Sequence, residues 1–131
     1  MNKHYSFIIL TYNEETHLPR LLNSIKGLKA KVYIVDSFST DSTLEIARAY
    51  GAEVFQNKFI NHPLQWKFAL DKIVINTPWT IGLDADQIVT PELYNLLLNF
   101  EDDPNDEING IYFNRKNIFR GKWIRFGGFY P

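Results

Sequence analysis

Two carboxylates one residue apart, Asp84 and Asp86 around Ala85, end the apolar run Trp79-Thr80-Ile81-Gly82-Leu83. Paired hard oxygen donors at a strand exit suit a divalent cation such as Mg2+ or Mn2+. Such an ion often takes one or two protein carboxylates, with substrate phosphates filling other positions. A cation held there can clamp a diphosphate. The tripeptide alone is a weak signal, because acidic pairs also cap helices and decorate turns, so its setting decides. Two more polar clusters follow apolar runs: Thr11-Tyr12-Asn13-Glu14 after Ser6-Phe7-Ile8-Ile9-Leu10, and Asp36-Ser37-Phe38-Ser39 after Val32-Tyr33-Ile34-Val35.

The elements that must position these clusters alternate between strand and helix patterns. Ser6–Leu10 is continuously apolar after its first residue, as expected of a strand buried on both faces. Thr16 is placed to cap the next helix, with Pro19 in its first turn, Leu18, Leu21, Leu22 and Ile25 at helical spacing, and Gly27 as its stop. After the strand ending at Asp36, Asp41 or Ser42 caps a second helix, with Glu45 able to complete a capping box. Leu44 and Ala47 point inward and Gly51 ends the helix. A short strand at Glu53-Val54-Phe55 follows. Pro63 opens a third helix with Trp66, Ala69, Leu70 and Ile73 on one face. The strand leading to Asp84 comes next, and Thr90-Pro91-Glu92 starts a fourth helix with Leu93, Leu96, Leu97 and Phe100 inward.

This β-α-β-α-β-α-β-α order predicts an α/β fold, a mostly parallel sheet flanked by helices on both faces. Ligands of such sheets sit beyond the carboxyl ends of the strands, where all three polar clusters fall. A single domain over residues 1–131 is expected, with an α/β core at 1–100, an acidic solvated loop at 101–109 and a C-terminal basic and aromatic segment at 110–131.

Bulk properties remove several classes. With 131 residues, 45% hydrophobic and 22% charged, the chain is long enough to bury a core. A net charge of −1 and a pI near 6.3 give no global field for nucleic acid, which is not expected as a partner. The absence of Cys excludes a disulfide scaffold and thiolate metal sites. Without a signal-peptide core or a bilayer-length apolar run, a cytoplasmic location is expected.

Four segments in register carry a resemblance: Ile9-Leu10-Thr11-Tyr12-Asn13-Glu14-Glu15, Ile34-Val35-Asp36-Ser37 with Ser39-Thr40-Asp41, Leu83-Asp84-Ala85-Asp86, and Gly121-Lys122-Trp123-Ile124-Arg125-Phe126-Gly127-Gly128-Phe129-Tyr130-Pro131. In order and spacing they resemble family 2 glycosyltransferases of the GT-A fold, and the last resembles the subgroup of lipopolysaccharide-core glucosyltransferases. The resemblance implies inverting transfer of a sugar from a nucleotide-diphosphate donor to a saccharide or lipid-linked acceptor hydroxyl, assisted by Mn2+ or Mg2+. Asp86 is then the direct metal contact, with Asp84 beside it reaching ribose or sugar. Tyr12 lies against the nucleobase, Glu14 and Asp36 contact base or ribose, and Thr11, Asn13, Ser37, Lys67 and Ala85 complete the donor site. The plainer readings stand alongside: a turn for Tyr12-Asn13-Glu14, a loop or cap residue for Asp36, capping for Asp41, and a solvated helix lysine for Lys67. A nucleotidyltransferase is a weaker alternative, since Thr11-Tyr12-Asn13-Glu14 is not a Gly-rich basic loop.

Departures from the family pattern bear on specificity. Asp36-Ser37-Phe38 stands where many members carry two acids and a glycine, and Gln87 stands where Glu often follows the acidic pair. His4, His17 and His62 lack ligand spacing and read as surface residues. In the resembled family the acceptor half, with the catalytic base, follows the Gly-Gly-aromatic-Tyr-Pro stretch. The chain is therefore expected to be a donor-binding half, incomplete at its C-terminus. It would lack a catalytic base, and in isolation serve as a nucleotide-sugar-binding fragment without turnover. Arg115, Lys116, Arg120, Lys122 and Arg125 interleave with Tyr112, Phe113, Phe119, Trp123 and Phe126. An amphipathic strand pair is the favoured reading, with peripheral contact at the inner face of the membrane in the full protein as another. Exposed Trp123, Phe126, Phe129 and Tyr130 would drive self-association.

Overall fold

The computed structural model describes residues 2–101, 110–113 and 116–120. Six strands form one sheet in the order β3-β2-β1-β4-β6-β5. In chain order the elements are β1 (Tyr5–Thr11), α1 (Leu18–Ile25), a 3-10 turn (Lys26–Leu28), β2 (Val32–Asp36), α2 (Thr43–Tyr50), β3 (Glu53–Gln56), α3 (His62–Lys72), β4 (Trp79–Asp84), α4 (Pro91–Leu98), β5 (Gly110–Phe113) and β6 (Lys116–Arg120). The first four strands are parallel, with β1 between β2 and β4. β6 runs antiparallel to β4, and β5 antiparallel to β6.

All of β1 is buried because helices cover both faces of the sheet. Its period-2 alternation divides the core. Tyr5, Phe7 and Ile9 pack with Leu18, Leu21, Leu22 and Ile25 of α1, Ala47 of α2 and Leu93 and Leu97 of α4. Ile8 and Leu10 face the other way, with Tyr33, Val35, Ala69 of α3, Ile73 at its C-cap and the partly buried Trp66. The expected α/β architecture is therefore the one observed, with an antiparallel pair added at one edge. Among the described residues no helix is long and apolar enough to cross a membrane.

Local details differ where distant partners intervene. Thr16 does not cap α1. His17 takes the cap position without a side-chain capping bond, and the first turn is held by the Glu14 carbonyl, which accepts from Leu18 N at 2.8 Å. Gly27 does not reverse the chain, because the helix passes into the 3-10 turn and Lys29 takes the positive φ (56°). At α2 the Glu45 capping box is replaced by Glu15, whose carboxylate accepts from Ser42 N at 2.9 Å, while Asp41 accepts from Thr43 N at 2.9 Å. Thr43 and Ala47, and not Leu44, are its buried residues. Asn61 caps α3 and Thr90 caps α4 through their side chains. Leu96 is 59% exposed, since two turns of α4 dock by the i, i+4 pair Leu93 and Leu97. Phe100 packs edge-on against Tyr5 and Trp79.

Gly82, beside Ile8 in register, lets the α3 indole of Trp66 lie directly on β4: a Cβ there would sit 2.8 Å from the ring. Gly82→Ala is expected to destabilise the fold by about 1–3 kcal/mol, the scale of overpacking. Chemical denaturation checks the sign, since Ala in an open strand position would stabilise it instead.

The acidic stretch 102–109 and the segment 121–131, including Trp123, Phe126, Phe129 and Tyr130, lie outside the described residues. So do the side chains of β5 and β6, and with them the amphipathic character expected of that segment; their backbones pair antiparallel.

Candidate functional site

Parallel register brings the strand exits into line. Thr11 pairs with Asp36, Leu10 with Asp84, and Asp36 with Gln56, so β1, β2, β3 and β4 end at one edge. A cleft of about 870 Å³ opens there. Thr11, Tyr12, Glu14, Ser37, Asp84, Ala85 and Asp86 all line it, as expected from the three polar clusters.

The turn after β4 is fixed at both ends by Gln87. Its backbone N donates to the Asp84 carbonyl at 3.0 Å, and its side-chain oxygen accepts from Asp84 N at 2.8 Å. The residue that displaces an acid thus builds the turn. This leaves the Asp84 carboxylate half-buried in the cleft and Asp86 exposed at its rim, with buried Ala85 between them. Arg20 of α1 donates to the Asp86 carbonyl at 3.3 Å. Burial pushes the Asp84 carboxyl above its ordinary value. The His62 imidazole pulls it down, and the charges of Asp86 and Glu14 push it further up.

Asp36 takes a different part from the one expected. Its carboxylate is fully buried and accepts from the Thr11 hydroxyl at 2.6 Å, the Ser39 hydroxyl at 2.6 Å and Ser39 N at 2.8 Å. It clamps the loop after β2 to the end of β1 and is not part of the cleft lining. Asn13 also lies outside the lining. At φ 49° it accepts from Thr40 N at 2.8 Å and donates its own N–H to Ser39 Oγ at 2.8 Å, tying the two loops together. Lys67 is exposed on α3, paired with Asp71 one turn on, and does not line the cleft.

Lys58 and His62 line the cleft instead, and the Arg20 guanidinium stands at its rim. His62 is a surface residue, as expected, but the surface is that of the cleft. Its position in the first turn of the helix after β3 was the available signal. Gln65 was not anticipated either. Buried on α3, it donates to Ser37 Oγ at 3.0 Å and accepts from Asn57 Nδ2 at 2.8 Å, holding the wall that carries Ser37. A polar residue four before inward-facing Ala69 was its sequence signature.

Phe38 is the other surprise. At φ 57° it adopts the left-handed conformation that favours glycine, yet its ring is 60% exposed and lines the cleft. Such a backbone costs on the order of 1–3 kcal/mol and persists only where its surroundings enforce it. Here Phe38 N donates to Gln56 Oε1 at 2.8 Å, and Ser39 N is fixed on Asp36.

A divalent cation fits these residues. Asp84 and Asp86 supply hard donors, Glu14 adds negative charge nearby, and the surroundings already disfavour an uncompensated charge at Asp84. Among the described residues no group of three or more acidic or imidazole side chains could hold a metal unaided. A cation would complete its shell from phosphate and water, as Mg2+ commonly does.

The fold thus presents a parallel half-sheet whose fourth strand ends in an acidic pair at a cleft. The model for glycosyl transferase family 2 matches residues 6–128, and the chain belongs to that family. An uncharacterised glycosyltransferase of Rickettsia typhi is 36% identical over 91 residues, covering 70% of this chain and 30% of the relative. The lipopolysaccharide core biosynthesis glycosyltransferase LpsC of Rhizobium meliloti is 32% identical over 97 residues, covering 70% of this chain and 35% of LpsC. The matched region spans about a third of the length of these relatives. Among solved structures, S. aureus TarS 1-349 superposes with a TM-score of 0.65 at 20% identity, over 90% of this chain and 47% of that one. Glucosyl-3-phosphoglycerate synthase from Mycobacterium tuberculosis, in complex with Mn2+, uridine diphosphate and glucosyl-3-phosphoglycerate, gives 0.58 at 21% identity, over 76% and 41%. These two likenesses establish the shared fold.

Proposed function

We propose that the cleft binds the nucleotide of a nucleotide-diphosphate-sugar donor. The whole protein would transfer that sugar, with inversion and metal assistance, to an acceptor hydroxyl in lipopolysaccharide or cell-surface polysaccharide synthesis. The observation that carries this reading is the convergence of Asp84, Asp86 and the exposed Tyr12 ring on one cleft at the carboxyl ends of parallel strands. Family membership supports sugar transfer, and the relationship to LpsC supports a lipopolysaccharide acceptor.

Asp86 and Asp84 would hold Mn2+ or Mg2+, which when bound supplies neutralisation of the charge that builds on a departing diphosphate. Tyr12 offers its face to the base. Thr11 is buried and turned to Asp36, so it supports the site, while Ser37 and Glu14 present polar atoms at the wall. Lys58 and His62 bring donors to the same cleft.

Tyr12 gives the direct test. Tyr12→Ala should weaken nucleoside diphosphate binding by roughly 1–3 kcal/mol, the scale of base–aromatic stacking, and Tyr12→Phe by much less. Calorimetric titration of both variants decides it. Equal losses would assign the contact to the hydroxyl, and no loss in either would remove Tyr12 from the donor site.

A further inference from the structure

We infer that Phe38 is a second aromatic contact for the nucleobase, working with Tyr12 from a separate loop. This rests on the donor-binding reading above and refines it. Tyr12, 56% exposed, follows β1, and Phe38, 60% exposed, follows β2; both line the cleft that holds Asp84 and Asp86. The chain maintains a bulky residue at φ 57° without recovering the cost by burying its ring. Glycine would satisfy that backbone with no strain. An exposed phenylalanine on a strained backbone is accounted for by a ligand that covers it. The ligand must be flat and apolar-faced at one end to meet the two rings, and anionic at the other to meet a cation on the acidic pair. A nucleoside diphosphate has that shape and polarity.

The neighbouring carboxylate strengthens the assignment. Asp36 is fully buried and engaged by the Thr11 hydroxyl and by both the N–H and hydroxyl of Ser39, so its loop presents the Phe38 ring to the cleft and withholds the acid. The contact that Phe38 itself offers is by its face, which any base can satisfy.

Phe38→Gly separates contact from folding, because it relieves the backbone while removing the ring. Its thermal midpoint should stay within a few degrees of the unsubstituted chain. Its affinity for both UDP and GDP with Mn2+ should fall about 5- to 150-fold, the range for one lost stack. Binding of inorganic pyrophosphate with Mn2+ should be unchanged, and Phe38→Trp should retain nucleotide affinity. If Phe38→Gly binds UDP and GDP as tightly as the unsubstituted chain, the Phe38 contact is wrong and the donor-binding reading stands. An equal loss for pyrophosphate also overturns the contact, since the change would then act on the phosphate end. If the unsubstituted chain binds neither nucleotide, both readings fall.

Discussion

Asp84→Asn is expected to make the folded chain more stable at neutral pH while removing most of its metal-dependent nucleotide affinity. Asn keeps the size of the side chain and leaves the backbone bonds to Gln87 in place. It removes a charge that burial disfavours, which His62 offsets only in part and which Asp86 and Glu14 oppose. Because the folded carboxyl titrates above its ordinary value of 3.8, the folded state holds that proton more tightly than the unfolded chain. Stability from this group is fully present below the ordinary value and is lost as pH rises through the raised folded one. The variant's advantage should accordingly grow across that window and vanish in acid, which metal-free thermal melts at several pH values will reveal. Its affinity for UDP with Mn2+ should fall by at least about 10- to 100-fold, the loss typical even of residues that only support a metal ligand. Asp86→Asn, at the exposed rim, should lose similar affinity with little change in stability. A less stable Asp84→Asn at neutral pH, or one with unaltered affinity, would count against this account of the acidic pair.

Asp36→Ala should cost about 3 kcal/mol of folding stability. A fully buried carboxylate receiving three hydrogen bonds cannot be deleted quietly, because bonds to a charged group contribute about 1.5–3 kcal/mol each and the abandoned Thr11 hydroxyl stays buried. Part of the loss will be recovered as the Ser39 loop relaxes toward water. Urea denaturation measures it. Unchanged stability combined with lost nucleotide affinity would mean that the carboxylate reaches the ligand instead of its own loop.

The two residues illustrate what the sequence carried. Asp84 and Asp86 were legible because a buried apolar strand points at them, and parallel strands deliver their exits to one edge. The continuous burial of β1 and the helical spacing of Leu18, Leu21, Leu22 and Ile25 were equally local signals, and both hold in the fold. Asp36 was legible as a strand-exit acid, but its partner Thr11 lies 25 residues away, and no local pattern records that bond. The same holds for Glu15 replacing the expected capping box at Ser42 and for Asn13 meeting Thr40, each across 27 residues. Loop-to-loop bonds of this span decide which polar residues are left for a ligand. Lys67 is the converse case. Its partner Asp71 stands at i+4 on the same helix, so an ordinary helical pair accounts for it. Phe38 could be recognised as unusual in sequence, as a bulky residue in place of glycine, but its positive φ and exposure required the fold.

The central claim is that the acidic pair and the aromatic cleft together form a cation-dependent nucleoside diphosphate site. Calorimetric titration of UDP and GDP into the purified chain, with Mn2+ and again with the metal chelated, tests it most directly. Saturable binding with Mn2+ that is lost on chelation and in Asp86→Asn is the predicted result. Binding of equal affinity with and without the metal, or no binding of either nucleotide, would contradict it.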